Sequence, residues 1–149
     1  MTRTLEPGRT TWHGERAQVD DAVLEPKGVQ RPRIPIIVGG NGPNVTWRLA
    51  ARFADELNLD GPEIEQIPGW LATIRERCEE IDRDPATLPV SAEMWWNGAT
   101  GRERVEGIAR LAELGLARIH SNFAEAAGSD EPIHSFAEDC RAAGIELDA

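Results

Sequence analysis

Strand and helix patterns alternate four times between residue 34 and residue 143, and this alternation constrains the chain more than any other feature. A short apolar run at 34–38 comes first, followed by a predicted helix at 43–54 with Val45, Leu49 and Phe53 on one face. Residues 55–60 read as a second short strand, broken by Gly61-Pro62. In the next helix, at about 63–82, Ile64, Ile67, Leu71, Ile74, Cys78 and Ile81 step by three and four, the strongest helical period in the chain. A third strand at 88–96 closes at Asn97-Gly98. The third helix opens at Thr100 or Gly101 and carries Val105, Ile108, Leu111 and Ala112. A fourth strand at 117–123 leads through a small-residue loop, 124–130, to a helix at about 131–143 that packs through Ile133, Phe136, Ala137 and Cys140. A helix between successive strands makes them parallel, so the fold class is α/β with four parallel βα units. A closed (β/α)8 barrel needs eight units and about 250 residues. Four units in 149 residues form either an open sheet or half of a barrel. Residues 1–33 are rich in Pro, Gly and charge and read as an extended arm or insertion loop, with short strands near Trp12 and 19–23. The βα domain is 34–149.

The junction after the first strand is the best candidate site. Ile34-Pro-Ile-Ile-Val-Gly-Gly-Asn-Gly-Pro-Asn44 runs from a buried strand into three glycines within four positions, and Pro43 suits the first position of a helix. Gly39, Gly40, Asn41 and Gly42 form a bare turn whose N–H groups can approach an anion. The helix adds unpaired donors and the positive end of its dipole. A tight turn with no ligand fits the same residues. Thr46 either donates a hydroxyl to this site or is an exposed helix residue.

Charge and composition narrow the partners. A net charge of −10 argues against nucleic acid or an anionic membrane as the main partner. No apolar run could span a bilayer, and the N-terminus has no signal-peptide core, so a cytoplasmic protein is expected. Cys78 and Cys140 fall on apolar stripes of two helices and read as buried thiols rather than a disulfide or metal pair.

The other strand ends yield weaker candidates. Trp95 and Trp96 should point to opposite faces of a strand, so at most one lines a pocket. His120 is either a proton donor facing a pocket or a hydrogen-bonded core histidine. His13 and His134 have no matching ligand spacing, and no metal site is expected. Asp60 follows Gly40-Asn-Gly42 at about the ribose-binding distance of a Rossmann fingerprint, but Val45 stands where the third glycine would be.

Several segments, taken in order, resemble the luciferase-like monooxygenase superfamily, particularly its deazaflavin (coenzyme F420) branch. They are Trp12-His-Gly-Glu, Asp21-Ala, Glu25-Pro-Lys-Gly-Val-Gln-Arg-Pro, Pro35-Ile-Ile-Val-Gly-Gly-Asn-Gly, Thr46-Trp-Arg-Leu-Ala-Ala-Arg-Phe-Ala-Asp55 with Asn58, and Cys78-Glu-Glu-Ile-Asp-Arg-Asp-Pro85. The resemblance covers the C-terminal half of a TIM-type barrel, starting in the long insertion after the fourth barrel strand. It implies a flavin- or deazaflavin-dependent oxidoreductase that uses F420 or FMN on a small-molecule substrate. It places Gly39, Gly40, Asn41 and Gly42 near the cofactor phosphate, and it leaves the catalytic residues unassigned. An isolated half-barrel has two open edges and, on this reading, an apolar interior, so self-association or a separate N-terminal half-barrel is expected. The alternatives are a truncated non-catalytic fragment or a Rossmann-like nucleotide-binding domain.

Overall fold

The computed structural model describes residues 8–23, 25–26, 28–31, 33–96, 98–123 and 128–147. The chain divides into two compact units between Pro35 and Ile36. Asn97 and most of the 124–130 loop therefore lie outside the described residues.

In the first unit, β1 (Thr10–His13) pairs antiparallel with β2 (Gln18–Ala22). A turn closes the hairpin, with Gly14 N–H donating to Ala17 O at 2.9 Å. Arg9 pairs with Asp21 at 2.6 Å and His13 pairs with Asp20 across it. Both pairs are exposed, and such pairs add little stability.

The second unit contains β3 (Ile37–Gly39), α1 (Thr46–Phe53), β4 (Glu56–Asp60), α2 (Ile67–Glu79), β5 (Val90–Met94), α3 (Arg102–Glu113), β6 (Arg118–Ser121) and α4 (Glu131–Ala142). The four strands are parallel and lie in the order β3-β4-β5-β6. This is four parallel βα units, resembling the C-terminal half of a TIM barrel. The order never reverses, so the sheet lacks the switch point at which a Rossmann fold binds its dinucleotide.

One sheet face supplies Leu57, Leu59, Val90, Ala92 and Met94 to a core completed by Trp47, Ile67, Ile74, Cys78 and Leu111. Burying each large aliphatic side chain contributes about 1.5–3 kcal/mol. The expected stripe of α2 is confirmed at Ile67, Ile74 and Cys78, which are buried, while Ile81, past the helix end, is exposed. A 3-10 turn at Ile64–Gln66 leads into α2, because Pro68 supplies no N–H for the preceding turn.

Two expectations fail here. The buried face of α1 is Trp47, Ala50, Ala51 and Ala54, whereas Val45, Leu49 and Phe53 are exposed. A helix packed closely on a sheet favours small residues at the contact, and these four follow the i, i+3, i+4, i+7 spacing of a helical face. The second failure concerns the other sheet face, which is polar rather than apolar. By alternation from the core residues it carries Glu56, Asn58, Ser91, Glu93, Arg118 and His120. Its buried carboxylate is compensated. Ser91 Oγ donates to Glu56 Oε1 at 2.5 Å, Arg118 lies 3.1 Å from Oε2, and Asn58 Nδ2 donates to Ser91 Oγ at 3.0 Å.

Candidate functional site at the strand ends

The glycine turn forms at the C-terminal end of β3. Gly40 has φ = +122°, a conformation that favours glycine. Its N–H donates to Asn58 O at 3.0 Å, and its carbonyl accepts from Trp47 Nε1 at 3.0 Å. The indole thus ties the turn to the core face of α1. Helix α1 starts at Thr46, three residues later than expected, and residues 43–45 form a turn closed by Trp47 N–H on Gly42 O at 3.0 Å. Val45 gives no side-chain cap. Among the described residues, no hydrogen bond engages the backbone N–H of Asn41, Gly42, Asn44, Val45 or Thr46. These donors, together with the start of α1, suit an anion.

The four glycine-turn residues play different parts. Gly39 has open space where a Cβ would stand, with nothing within 4 Å. A Cβ on Gly42 would lie 2.8 Å from Thr46 Oγ1, so the threonine side chain covers the turn. Asn41 uses its side chain as a clasp, with Nδ2 donating to Asp60 O at 2.6 Å and Oδ1 accepting from Asp60 N–H at 3.0 Å. Asp60 is thereby engaged through its backbone by the turn. Arg77 Nε donates to Pro43 O at 3.0 Å, fixing the turn to α2.

Beyond Asp60 the segments after β4 and β5, with the start of α3, border a half-open cavity of about 420 Å3 lined by Gly61, Glu63, Trp95, Trp96, Glu103 and neighbouring residues. Both tryptophans reach it, contrary to the expectation of one. β5 ends at Met94, so the alternation of a strand does not extend to Trp95 and Trp96. Trp96 is held from behind by Nε1–H on Ser121 Oγ at 3.0 Å and by Phe136, 6.1 Å between ring centroids. Glu63 and Glu103 had not been singled out in the sequence, since nothing in a linear pattern places a carboxylate before the 3-10 turn and one in the first turn of α3 in one cavity.

None of the three histidines is a core residue, contrary to the core reading of His120. His120 is partly exposed on the polar sheet face, with Nε2 4.0 Å from Glu56 Oε1. His134 is exposed on α4. No cluster that could hold a metal ion occurs among the described residues. Glu56, Ser91 and Arg118 were missed by sequence reasoning, although the alternation Glu56, Asn58, Asp60 against Leu57, Leu59 was a usable signal. Cys78 and Cys140 are free and buried, and burial pushes both thiols above their ordinary pKa. No helix among the described residues is long and apolar enough to cross a membrane.

The family profile for luciferase-like monooxygenase matches residues 1–95. No curated protein matches by sequence. Among solved structures, an F420-dependent secondary alcohol dehydrogenase in complex with an F420-acetone adduct superposes with a TM-score of 0.69 and 16% identity, covering 93% of this chain. A coenzyme F420 dependent tetrahydromethanopterin reductase from Methanopyrus kandleri gives a TM-score of 0.53, also at 16% identity, over 98% of this chain. At such identities the likeness is one of fold. The matched regions span 57% and 44% of those two chains.

Proposed function

The chain belongs to the luciferase-like monooxygenase family, and from that premise we propose that it is the C-terminal half-barrel of an F420-dependent oxidoreductase acting on a small molecule. In this reading residues 34–149 are the half-barrel and residues 1–33 its insertion arm. The coenzyme phosphate sits on the turn of Gly39, Gly40, Asn41 and Gly42. The observation that carries this is the set of backbone N–H groups of Asn41, Gly42, Asn44, Val45 and Thr46 with no hydrogen-bond partner among the described residues, in a turn where Gly39 leaves open space. When bound, the deazaflavin supplies hydride transfer. The chain's own part is to hold the phosphate with backbone donors, to fix the turn through Asn41 and Trp47, and to place the strand-end cavity beside it. F420 is preferred to FMN because both solved neighbours described above are named as F420 enzymes.

The test is titration of the purified chain with F420 and with FMN, followed by fluorescence, alongside Gly39→Asp. A Cβ at position 39 meets no neighbouring atom within 4 Å, so the substitution is sterically tolerated, and it adds a negative charge next to the proposed phosphate turn. Binding of F420 that Gly39→Asp weakens at least ~10-fold supports the assignment. Binding of FMN alone moves the chain to the flavin branch. If neither binds, the turn is structural and the chain is a non-catalytic fragment.

We propose also that the open margins of the sheet are covered by a second half-barrel, either another copy or a separate chain. Among the described residues, β3 and β6 each have one strand neighbour. The helices that follow them expose Leu49 and Phe53 on α1, with Val45 just before it, and Ile133 on α4, whereas α3 in the middle exposes no large apolar side chain. A well-behaved monomer by light scattering counts against this.

A further inference from the structure

The strand-end cavity has a chemistry distinct from that of the glycine turn. Its two charged lining residues, Glu63 and Glu103, are both acidic. One Glu63 oxygen is committed to the 3-10 turn, where the side chain accepts from Gln66 N–H. Glu103 stands in the first turn of α3 with no partner among the described residues. The aromatic walls are positioned by two glycines. A Cβ on Gly61 would lie 2.8 Å from Trp95 Cδ1, so the indole lies directly against the backbone. A Cβ on Gly107 would lie 3.0 Å from Trp96 Cζ3, allowing that ring to settle onto α3. Trp95 remains 50% exposed, leaving ring surface available to a ligand. The volume of about 420 Å3 falls within the range of small-molecule sites. Indole rings attract cations through their negative faces, and carboxylates reinforce that preference while repelling anions. We propose that this cavity binds the ammonium group of a small organic cation. The site does not depend on the coenzyme assignment, since it shares no residue with the anion-binding turn.

The test compares choline chloride with its neutral isostere 3,3-dimethyl-1-butanol, titrated into the intact chain while the indole N–H signals are followed by NMR. Trp95→Leu assigns the relevant signal. The expected result is saturable binding of choline, about 10-fold tighter than the neutral alcohol and weakened by a similar factor in Trp95→Leu. Glu103→Gln, an exposed and nearly isosteric change, weakens it about 2- to 5-fold. Equal binding of the neutral isostere, an unchanged affinity in Glu103→Gln, or no movement of indole signals at tens of millimolar choline overturns the proposal.

Discussion

Arg83, in the loop that follows α2, holds the C-terminal end of α1, and its replacement tests how that helix is anchored. Its Nη1 reaches Ala50 O at 3.3 Å, Ala51 O at 2.8 Å and Ala54 O at 3.0 Å. Its Nη2 donates to Thr87 O at 2.6 Å and its Nε to Thr87 Oγ1 at 3.0 Å. The guanidinium therefore meets the carbonyls that end α1 and sits at the negative end of that helix dipole. Ala50 O also accepts from Ala54 N–H at 2.9 Å, so it retains a partner when Arg83 is removed. The carbonyls of Ala51 and Ala54, in residues almost wholly buried, lose a charged donor. Stranding two buried acceptors costs about 1–3 kcal/mol each, and losing the dipole interaction about 0.3–1 kcal/mol. Partial rehydration trims the sum, so Arg83→Met should destabilise the unit by about 2–5 kcal/mol. Arg83→Lys keeps the charge but not the fork and should cost about half as much. Urea denaturation followed by tryptophan fluorescence measures both, and hydrogen exchange should report the opening in α1. A loss below about 1 kcal/mol in Arg83→Met would refute the reasoning, because the last carbonyls of α1 would then be satisfied without Arg83.

Other changes follow from the same geometry. Asn41→Ala removes both bonds of the clasp to Asp60 and should cost about 1–2 kcal/mol, with faster hydrogen exchange at the Asp60 amide. The buried pair Arg104–Asp139, 2.6 Å apart, also engages Ser135 at 2.8 Å and places the guanidinium 5.5 Å from the Phe136 ring centre. Arg104→Met should therefore cost about 3–5 kcal/mol in denaturant melts, while Arg104→Met with Asp139→Leu recovers most of it. The thiols of Cys78 and Cys140 have pKa values raised by burial above an ordinary 9.0. The native state then holds these protons more tightly than the unfolded chain, so their contribution is complete below about pH 9 and is lost as pH rises beyond it. Urea midpoints at pH 7 and pH 10, compared between the native chain and the double variant Cys78→Ala/Cys140→Ala, should show the pH-linked loss only in the former.

The sequence by itself determined the succession of elements. The spacing of Ile67, Ile74 and Cys78, the breaks at Gly61-Pro62, Gly115 and Gly144, and the apolar cores of the strands are local signals, and elements formed close to where these signals fall. It also determined that the chain passes from β3 into α1 through glycines, because Gly40 occupies a backbone region disfavoured for other residues. Only the tertiary structure decided which face of α1 is buried. Its contact with the sheet selected the small face of Ala50, Ala51 and Ala54 over the bulkier Leu49 and Phe53, since packing rewards close approach as well as side-chain size. It also decided the role of Asn41, whose nearest partner in the fold, Asp60, is nineteen residues away. The polar cluster of Glu56, Ser91 and Arg118 and the cavity shared by Glu63, Trp95 and Glu103 exist only once parallel pairing sets the register of separate strands. A linear pattern records the period of each element, but the contacts between elements depend on how strand pairing and core packing place them in space.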